Sequence, residues 1–190
     1  MCQGGNMNQR IPWGFTLVEL LITIAVFAII AGMAIPALHQ EIANGHQRQL
    51  IATFHGAFSY ARSQAVHTGA PVILCPLSPS LNCVDNWDLP VAIFPDSDRD
   101  RKPDDDTVWR YIQPPKHYRI HSRTGRRGYF AFGPNGLMLG ASGSLVACPT
   151  AGNKQPMSYL AVNRGGRFRA VHDDDLDNII RLSWGGVIRC

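Results

Sequence analysis

The sequence predicts an α+β protein, with one long N-terminal helix and a mainly antiparallel, β-rich domain behind it. Three observations lead there. Residues 15–38, FTLVELLITIAVFAIIAGMAIPAL, gather apolar side chains into a run that can cross a bilayer as a helix, which takes about 20 residues. Residues 39–68 keep a helical period but mix apolar with polar positions. After residue 70 the chain breaks into short apolar runs punctuated by Gly, Pro, Asn and Asp. A chain of 190 residues has room for one modest domain and an anchor.

The apolar run carries one charge, Glu19, and the segment before it, MCQGGNMNQRIPWG, is polar with one positive charge at Arg10. A secretory signal peptide has a shorter apolar region that ends in a small-residue cleavage site. Ala31 and Ala34 mimic that site, but the run is longer and holds an acid. A plain single-pass anchor explains the length but not Glu19, because a carboxylate in hydrocarbon is costly. The third reading rests on Gly14-Phe15-Thr16-Leu17-Val18-Glu19-Leu20, which closely resembles the class III signal of type IV pilins and pseudopilins. The resemblance implies a prepilin peptidase and N-methyltransferase that cuts between Gly14 and Phe15 and methylates Phe15. It also implies that Glu19 serves assembly, and that Pro36 loosens the helix as prolines often do in pilins. Trp13 departs from the Lys or Arg usual before the cut.

On this reading the chain divides into a leader, 1–14, a transmembrane and assembly helix, 15–38, and a periplasmic domain, 39–190, that includes the amphipathic half of the helix. The subunit sits first in the inner membrane and then in a surface filament among other major and minor pilins. An acid in an apolar helix needs a partner. Packed filament helices bring Glu19 of one subunit near the Phe15 amine of a neighbour, an attraction that helps set register although desolvation offsets much of it.

In the second half of the helix, Leu50, Ile51, Phe54, Phe58, Ala61 and Ala65 fall at three- and four-residue steps, with His46, Gln47, Arg48, His55 and Arg62 between them. Gly69 and Pro71 stop the helix, and Gly45 loosens it locally. Strands are predicted at 71–75, 87–94, 107–113, 117–121, 128–133, 143–149, 157–163, 166–172 and 178–184, with a loop at 95–106. Ile73-Leu74-Cys75-Pro76, Cys83, Trp87, Phe94-Pro95-Asp96, Phe132-Gly133-Pro134-Asn135-Gly136 and Gly143-Ser144-Leu145-Val146-Ala147-Cys148 resemble the FimT/GspH-type minor pilins in composition and order.

Five cysteines occur: Cys2, Cys75, Cys83, Cys148 and Cys190. None forms a CxxC pair or has a histidine at metal-ligand spacing, so no zinc site is expected. Loss of Cys2 with the leader leaves four thiols in an exported domain, hence two disulfides with three connectivities open. Proximity in sequence favours Cys75 with Cys83, and Cys148 then with Cys190.

The net charge of +4 is too small to establish nucleic-acid binding, so placement of the charges decides. Gly166-Arg167-Phe168-Arg169 puts two arginines on one face of an extended segment, about 6.5–7 Å apart, with Phe168 facing the core. Guanidinium groups at that spacing suit neighbouring phosphates, with Arg164 upstream as a third charge. The plain alternative is a solvated edge strand whose charges prevent aggregation. The motif is similar to the GRxR of FimT-type minor pilins, and the resemblance implies binding of double-stranded DNA in natural transformation. The run Asp173-Asp174-Asp175 with Asp177 opposes DNA if it lies beside the arginines. Arg126, Arg127 and Arg123 form a second basic cluster that extends the surface or simply solvates a turn. The alternating acids of residues 95–100 fit Ca²⁺ in spacing, but Arg99, Arg101 and Lys102 intervene and no metal is expected. There is no Walker loop, dinucleotide fingerprint or nucleophile motif, so neither catalysis nor a cofactor is expected. The alternative to DNA capture is a structural or priming pseudopilin of a type II secretion system.

Overall fold

A computed structural model describes residues 14–150, 155–173 and 175–190. The leader positions 1–13, with Cys2, Arg10 and Trp13, and Asp174 lie outside the described residues. The chain divides into two compact units, one ending at Glu41 and the other spanning Ile42–Cys190.

Helix α1 runs from Leu17 to Thr68, through both Pro36 and Gly45. Its start follows from local chemistry. The Thr16 hydroxyl accepts from the Glu19 amide at 3.2 Å, and the Thr16 carbonyl accepts from Leu20 at 3.1 Å. Thr-x-x-Glu is a capping-box spacing, and an acid in the first turn faces the positive end of the helix dipole. In the first unit, Leu17–Ile35 is long and apolar enough to cross a membrane, and its side chains are exposed. In the second unit one face of α1 is buried through Leu50, Phe54, Ala57, Phe58, Ala61 and Ala65. Gly69, at φ 65, ends the helix in the left-handed conformation that glycine adopts without strain.

Ten strands follow. Strands β1 (Val72–Pro76), β2 (Val91–Pro95), β3 (Arg110–Ile112) and β5 (Phe130–Phe132) form an antiparallel sheet in the order β3-β2-β1-β5. Strands β4 (Tyr118–Arg123), β6 (Gly143–Pro149), β7 (Ser158–Val162) and β8 (Phe168–His172) form a second, in the order β4-β6-β7-β8. Strands β9 (Ile179–Arg181) and β10 (Val187–Arg189) make a separate two-stranded ribbon.

The inner faces of both four-stranded sheets meet the buried face of α1 in one core, through Val72, Leu74, Ile93, Phe130, Phe132, Leu145, Ala147, Leu160 and Val162. Phe58 is its hub, with its ring 4.9 Å from Phe130 and 5.7 Å from Phe168. Strand β1 is buried on both faces, because Ile73 and Cys75 join Ala92, Phe94 and Ala131 in a second cluster. The ribbon covers the outer face of the second sheet, with Ile180, Leu182 and Ile188 packed on Val146 and Cys148. Disulfides join Cys75 to Cys83 and Cys148 to Cys190, the second tying the ribbon's end to β6.

Three details differ from expectation. Residues 87–90 form a turn rather than the start of β2, because Trp87 is buried and its indole donates to Asp85 Oδ1 at 3.0 Å. The segment 178–184 is strand only at Ile179–Arg181, since Leu182–Gly186 turns the chain into β10, a strand not anticipated. Within 95–106, residues Asp104–Asp106 form a one-turn 3-10 helix.

Candidate functional site

The Gly-Arg-Phe-Arg segment lies at the hairpin between β7 and the edge strand β8. The Gly166 amide donates to the Asn163 carbonyl at 2.9 Å, and the Asn163 amide to the Arg167 carbonyl at 3.1 Å. Gly166 has φ 72, so the loop is a type I turn closed by a glycine bulge. The Asn163 Oδ1 accepts from the Arg167 amide at 2.9 Å and stiffens the exit. Gly166 is required twice over. A Cβ there would stand 2.8 Å from the Gly136 carbonyl oxygen, besides needing positive φ. A further bond, from the Met138 amide to the Arg164 carbonyl at 3.0 Å, docks the hairpin on the Gly133–Met138 turn.

Arg164, Arg167 and Arg169 are all exposed. Among the described residues, none of their guanidinium groups meets a carboxylate or a hydrogen-bond acceptor. Phe168 is half-buried, 5.2 Å from His55 and 5.7 Å from Phe58, and it pins the hairpin to α1. Arg169 lies on β8, paired with Ala161 of β7, whereas Arg167 sits just before the strand, so the two do not occupy the single regular strand the sequence implies. Arg167 instead borders an open cleft whose other wall is α1, presenting His55, Ser59, Arg62, Val66 and His67. Among the described residues no acid lines that cleft. Arg62 is the partner that sequence reading missed. Its signal is the spacing 55, 59, 62, 66, one stripe of a helix face, which reads from sequence as an ordinary solvated surface.

Asp173, which opens the acidic run, follows the other end of β8. Asp173 lies six positions after Arg167, about 20 Å at the strand rise, and four after Arg169, about 13 Å. Asp173 is buried and accepts from the Asn178 amide at 2.8 Å. Asp177 accepts from Arg181 at 2.8 Å, and that hydrogen bond holds its carboxyl below the usual range.

The second basic cluster divides. Arg126 is exposed at a turn with φ 64. Arg127 is half-buried, and its guanidinium donates to the Thr124 carbonyl at 2.7 Å and the Ala141 carbonyl at 3.2 Å. Those bonds brace the β4–β5 connection against the loop before β6 and commit part of the Arg127 guanidinium to backbone carbonyls. Arg123, at the end of β4, is exposed.

In the acid loop, carboxylate oxygens of Asp96, Asp98 and Asp104 lie within 4.8 Å of one another. Asp96 accepts from the Arg101 amide at 2.9 Å and Asp104 from the Ser97 amide at 3.0 Å, so these carboxylates hold the loop's own backbone. Burial pushes the Asp96 carboxyl upward, the Arg101 amide opposes this, and the neighbouring acids add to the rise.

Glu19 lies in the first turn of α1, with Gly14 and Phe15 exposed ahead of it. The pattern of the prokaryotic N-terminal methylation motif matches residues 14–35, and that of type II transport protein GspH matches residues 50–166. No curated protein matches the chain at a significant level. Two crystal structures of the type IV minor pilin FimU of Pseudomonas aeruginosa are similar. One, in space group P21, has a TM-score of 0.51 and 15% identity, covering 70% of this chain and 90% of that one. The other, in space group P65, has a TM-score of 0.45 and 14% identity, covering 67% and 91%. At that identity the likeness is one of fold. With its pattern spanning more than half of the sequence, from α1 to the arginine hairpin, the chain belongs to the GspH family and has the fold of a pilin-like minor pilin.

Proposed function

We propose that this chain is a minor pilin of a type IV pilus that captures extracellular DNA, without reading its sequence, for uptake in natural transformation. The observation that carries the reading is the β7–β8 hairpin. It holds Arg164, Arg167 and Arg169 exposed and unpaired among the described residues, with Arg167 across the α1 cleft from Arg62 and Asp173 beyond the far end of β8. Arginines fixed on a stiff turn meet phosphates with little ordering cost, and such contacts give affinity that salt weakens and sequence hardly affects.

Assembly follows the N-terminal chemistry. Prepilin peptidase cuts between Gly14 and Phe15, Phe15 is methylated, and Leu17–Ile35 holds the subunit in the inner membrane, with the head in the periplasm, until it joins other pilins. Thr16 caps the helix through the Glu19 backbone amide, and the Glu19 carboxylate in the first turn favours the helix dipole besides its proposed pairing with a neighbour's amine. A second reading, a structural pseudopilin of a type II secretion system, draws on the description of the matching family.

The test is a gel shift of double-stranded DNA by the full-length protein in detergent. Binding at low salt that weakens as salt rises, and weakens again in Arg167→Gln with Arg169→Gln, is the expected result. A wild-type protein that shifts no DNA at low salt leaves the pseudopilin reading in its place.

A further inference from the structure

The ribbon turn repeats the arginine turn. The Leu182 amide donates to the Gly186 carbonyl at 2.8 Å and the Gly185 amide to the Leu182 carbonyl at 2.9 Å, with Gly185 at φ 86. Trp184 therefore takes the place that Gly165 has in the other turn, and it is 64% exposed. Its indole rests against Gly186, where a Cβ would meet Nε1 at 3.1 Å, so backbone supports one side of the ring. A lone exposed apolar side chain is ordinary on a protein surface, so the surroundings of Trp184 decide whether it serves a ligand.

Its surroundings narrow the choice. Trp184 lines a cleft on the outer face of the second sheet, with Ser144 and Ala161 on the floor and Arg123 and Asn163 at the rim. The sheet register places Arg123, Ser144, Ala161 and Arg169 in one cross-strand row. Directly paired residues share a face, so Arg123 and Arg169 flank this floor, about 14 Å apart at three strand spacings. Among the described residues no acid lines the cleft, and its volume is about 460 Å³, within the range of small-molecule sites. A protein-docking patch would continue as apolar surface. Here Trp184 and Val187 are the exposed large apolar side chains; Val162, Leu182 and Ile188 beside them are buried, Tyr159 is half-buried, and Arg123, Ser142 and Asn163 bound the patch.

We propose that this cleft takes an unpaired DNA base stacked on Trp184, with Arg123 and Arg169 holding the phosphates on either side, so that the protein prefers single-stranded or frayed DNA to intact duplex. The proposal rests on the DNA reading above and deepens it. An indole can stack on any base, because every base has a π-face, so the contact adds affinity without sequence preference. A base inside a duplex is already stacked and paired, and reaches Trp184 only if it leaves the helix.

Fluorescence anisotropy of full-length protein in detergent tests this with three probes of one length: a single strand, the same strand with abasic sites, and the duplex. The wild type should bind the intact strand about tenfold more tightly than the abasic strand, the size expected of one aromatic stack. Trp184→Ala should erase that ratio and leave duplex affinity unchanged, while Trp184→Phe retains part of it. Circular dichroism and thermal melting verify that each variant is folded. Equal binding of intact and abasic strands by the wild type, with duplex binding still dependent on Arg167 and Arg169, overturns the base site and leaves the DNA reading standing. No binding of any probe overturns both. If Trp184→Ala instead abolishes co-purification with another pilin and changes no DNA affinity, the cleft is a subunit contact and the base site is wrong.

Discussion

The β7–β8 hairpin and the β4–β5 connection each carry arginines on a glycine-bearing turn, and the two regions use them differently. In the hairpin, Gly166 and Asn163 fix the backbone, and the guanidinium groups of Arg164, Arg167 and Arg169 are left to solvent. In the connection, Arg127 supplies the fixing itself, by donating to the Thr124 and Ala141 carbonyls. Where backbone, glycine and a side-chain amide hold a turn, its arginines are available to a ligand. Where an arginine holds the turn, part of its guanidinium is committed to backbone carbonyls.

The largest effect should come from removing the available charges. Arg167→Gln with Arg169→Gln should weaken DNA binding about thirtyfold or more at moderate salt, and flatten the plot of log affinity against log salt by about two. Anisotropy titrations at several salt concentrations measure both. A flattened slope distinguishes lost phosphate contacts from a general loss of fold, and an unchanged slope would contradict the role given to the hairpin. Next comes Gly166→Ala, which leaves every charge in place but forces a Cβ toward the Gly136 oxygen at positive φ. It should destabilise the head by about 2–3 kcal/mol, and it should lower DNA affinity only through displacement of the hairpin. Normal affinity in a folded Gly166→Ala protein would mean that the turn's geometry is irrelevant to binding.

Much of this was readable from the sequence, for identifiable reasons. The helix, its stop near Gly69 and strands such as 143–149 follow from long or strongly patterned runs, where many residues agree. Strand β10 was not readable, because Val187–Arg189 is three residues long and becomes a strand only by pairing with β9 and packing on the second sheet. The Gly-Arg-Phe-Arg segment shows itself as charges spaced along the chain. Arg62 and Trp184 do not, since each reaches its site through tertiary packing, Arg62 from α1 and Trp184 from the ribbon. Nor can spacing tell Arg126 from its neighbour Arg127, as the acceptors of Arg127 lie on Thr124 and the more distant Ala141.

Arg127→Met sharpens the contrast from the other side. It keeps most of the side-chain length and loses both hydrogen bonds, which should cost about 1–2 kcal/mol and lower Tm by about 2–6 °C. DNA affinity should stay within about twofold of wild type, since no phosphate contact is removed. A drop in affinity without a drop in Tm would return Arg127 to the binding surface.

The smallest effect extends the same logic to an acid. Asp96 is buried, and its carboxylate serves the Arg101 amide rather than a ligand. Its carboxyl is pushed upward chiefly by burial, which the Arg101 amide opposes and Asp100, Asp98 and Asp104 reinforce. Because the folded state holds this proton more tightly than the unfolded chain, the protonated carboxyl favours folding. That contribution is present below the unfolded carboxylate pKa of about 4 and is lost as pH rises through the folded value. Asp96→Asn keeps the oxygen that accepts from Arg101 and removes the buried charge. It should therefore raise Tm at pH 7 by about 1–2 °C, and the gain should fade toward pH 4 as the wild-type carboxyl takes up its proton. Thermal melts of both proteins at pH 4 and pH 7 check this. A variant that melts lower at pH 7, or a gain that ignores pH, would show that the Asp96 charge supports the loop rather than burdening it.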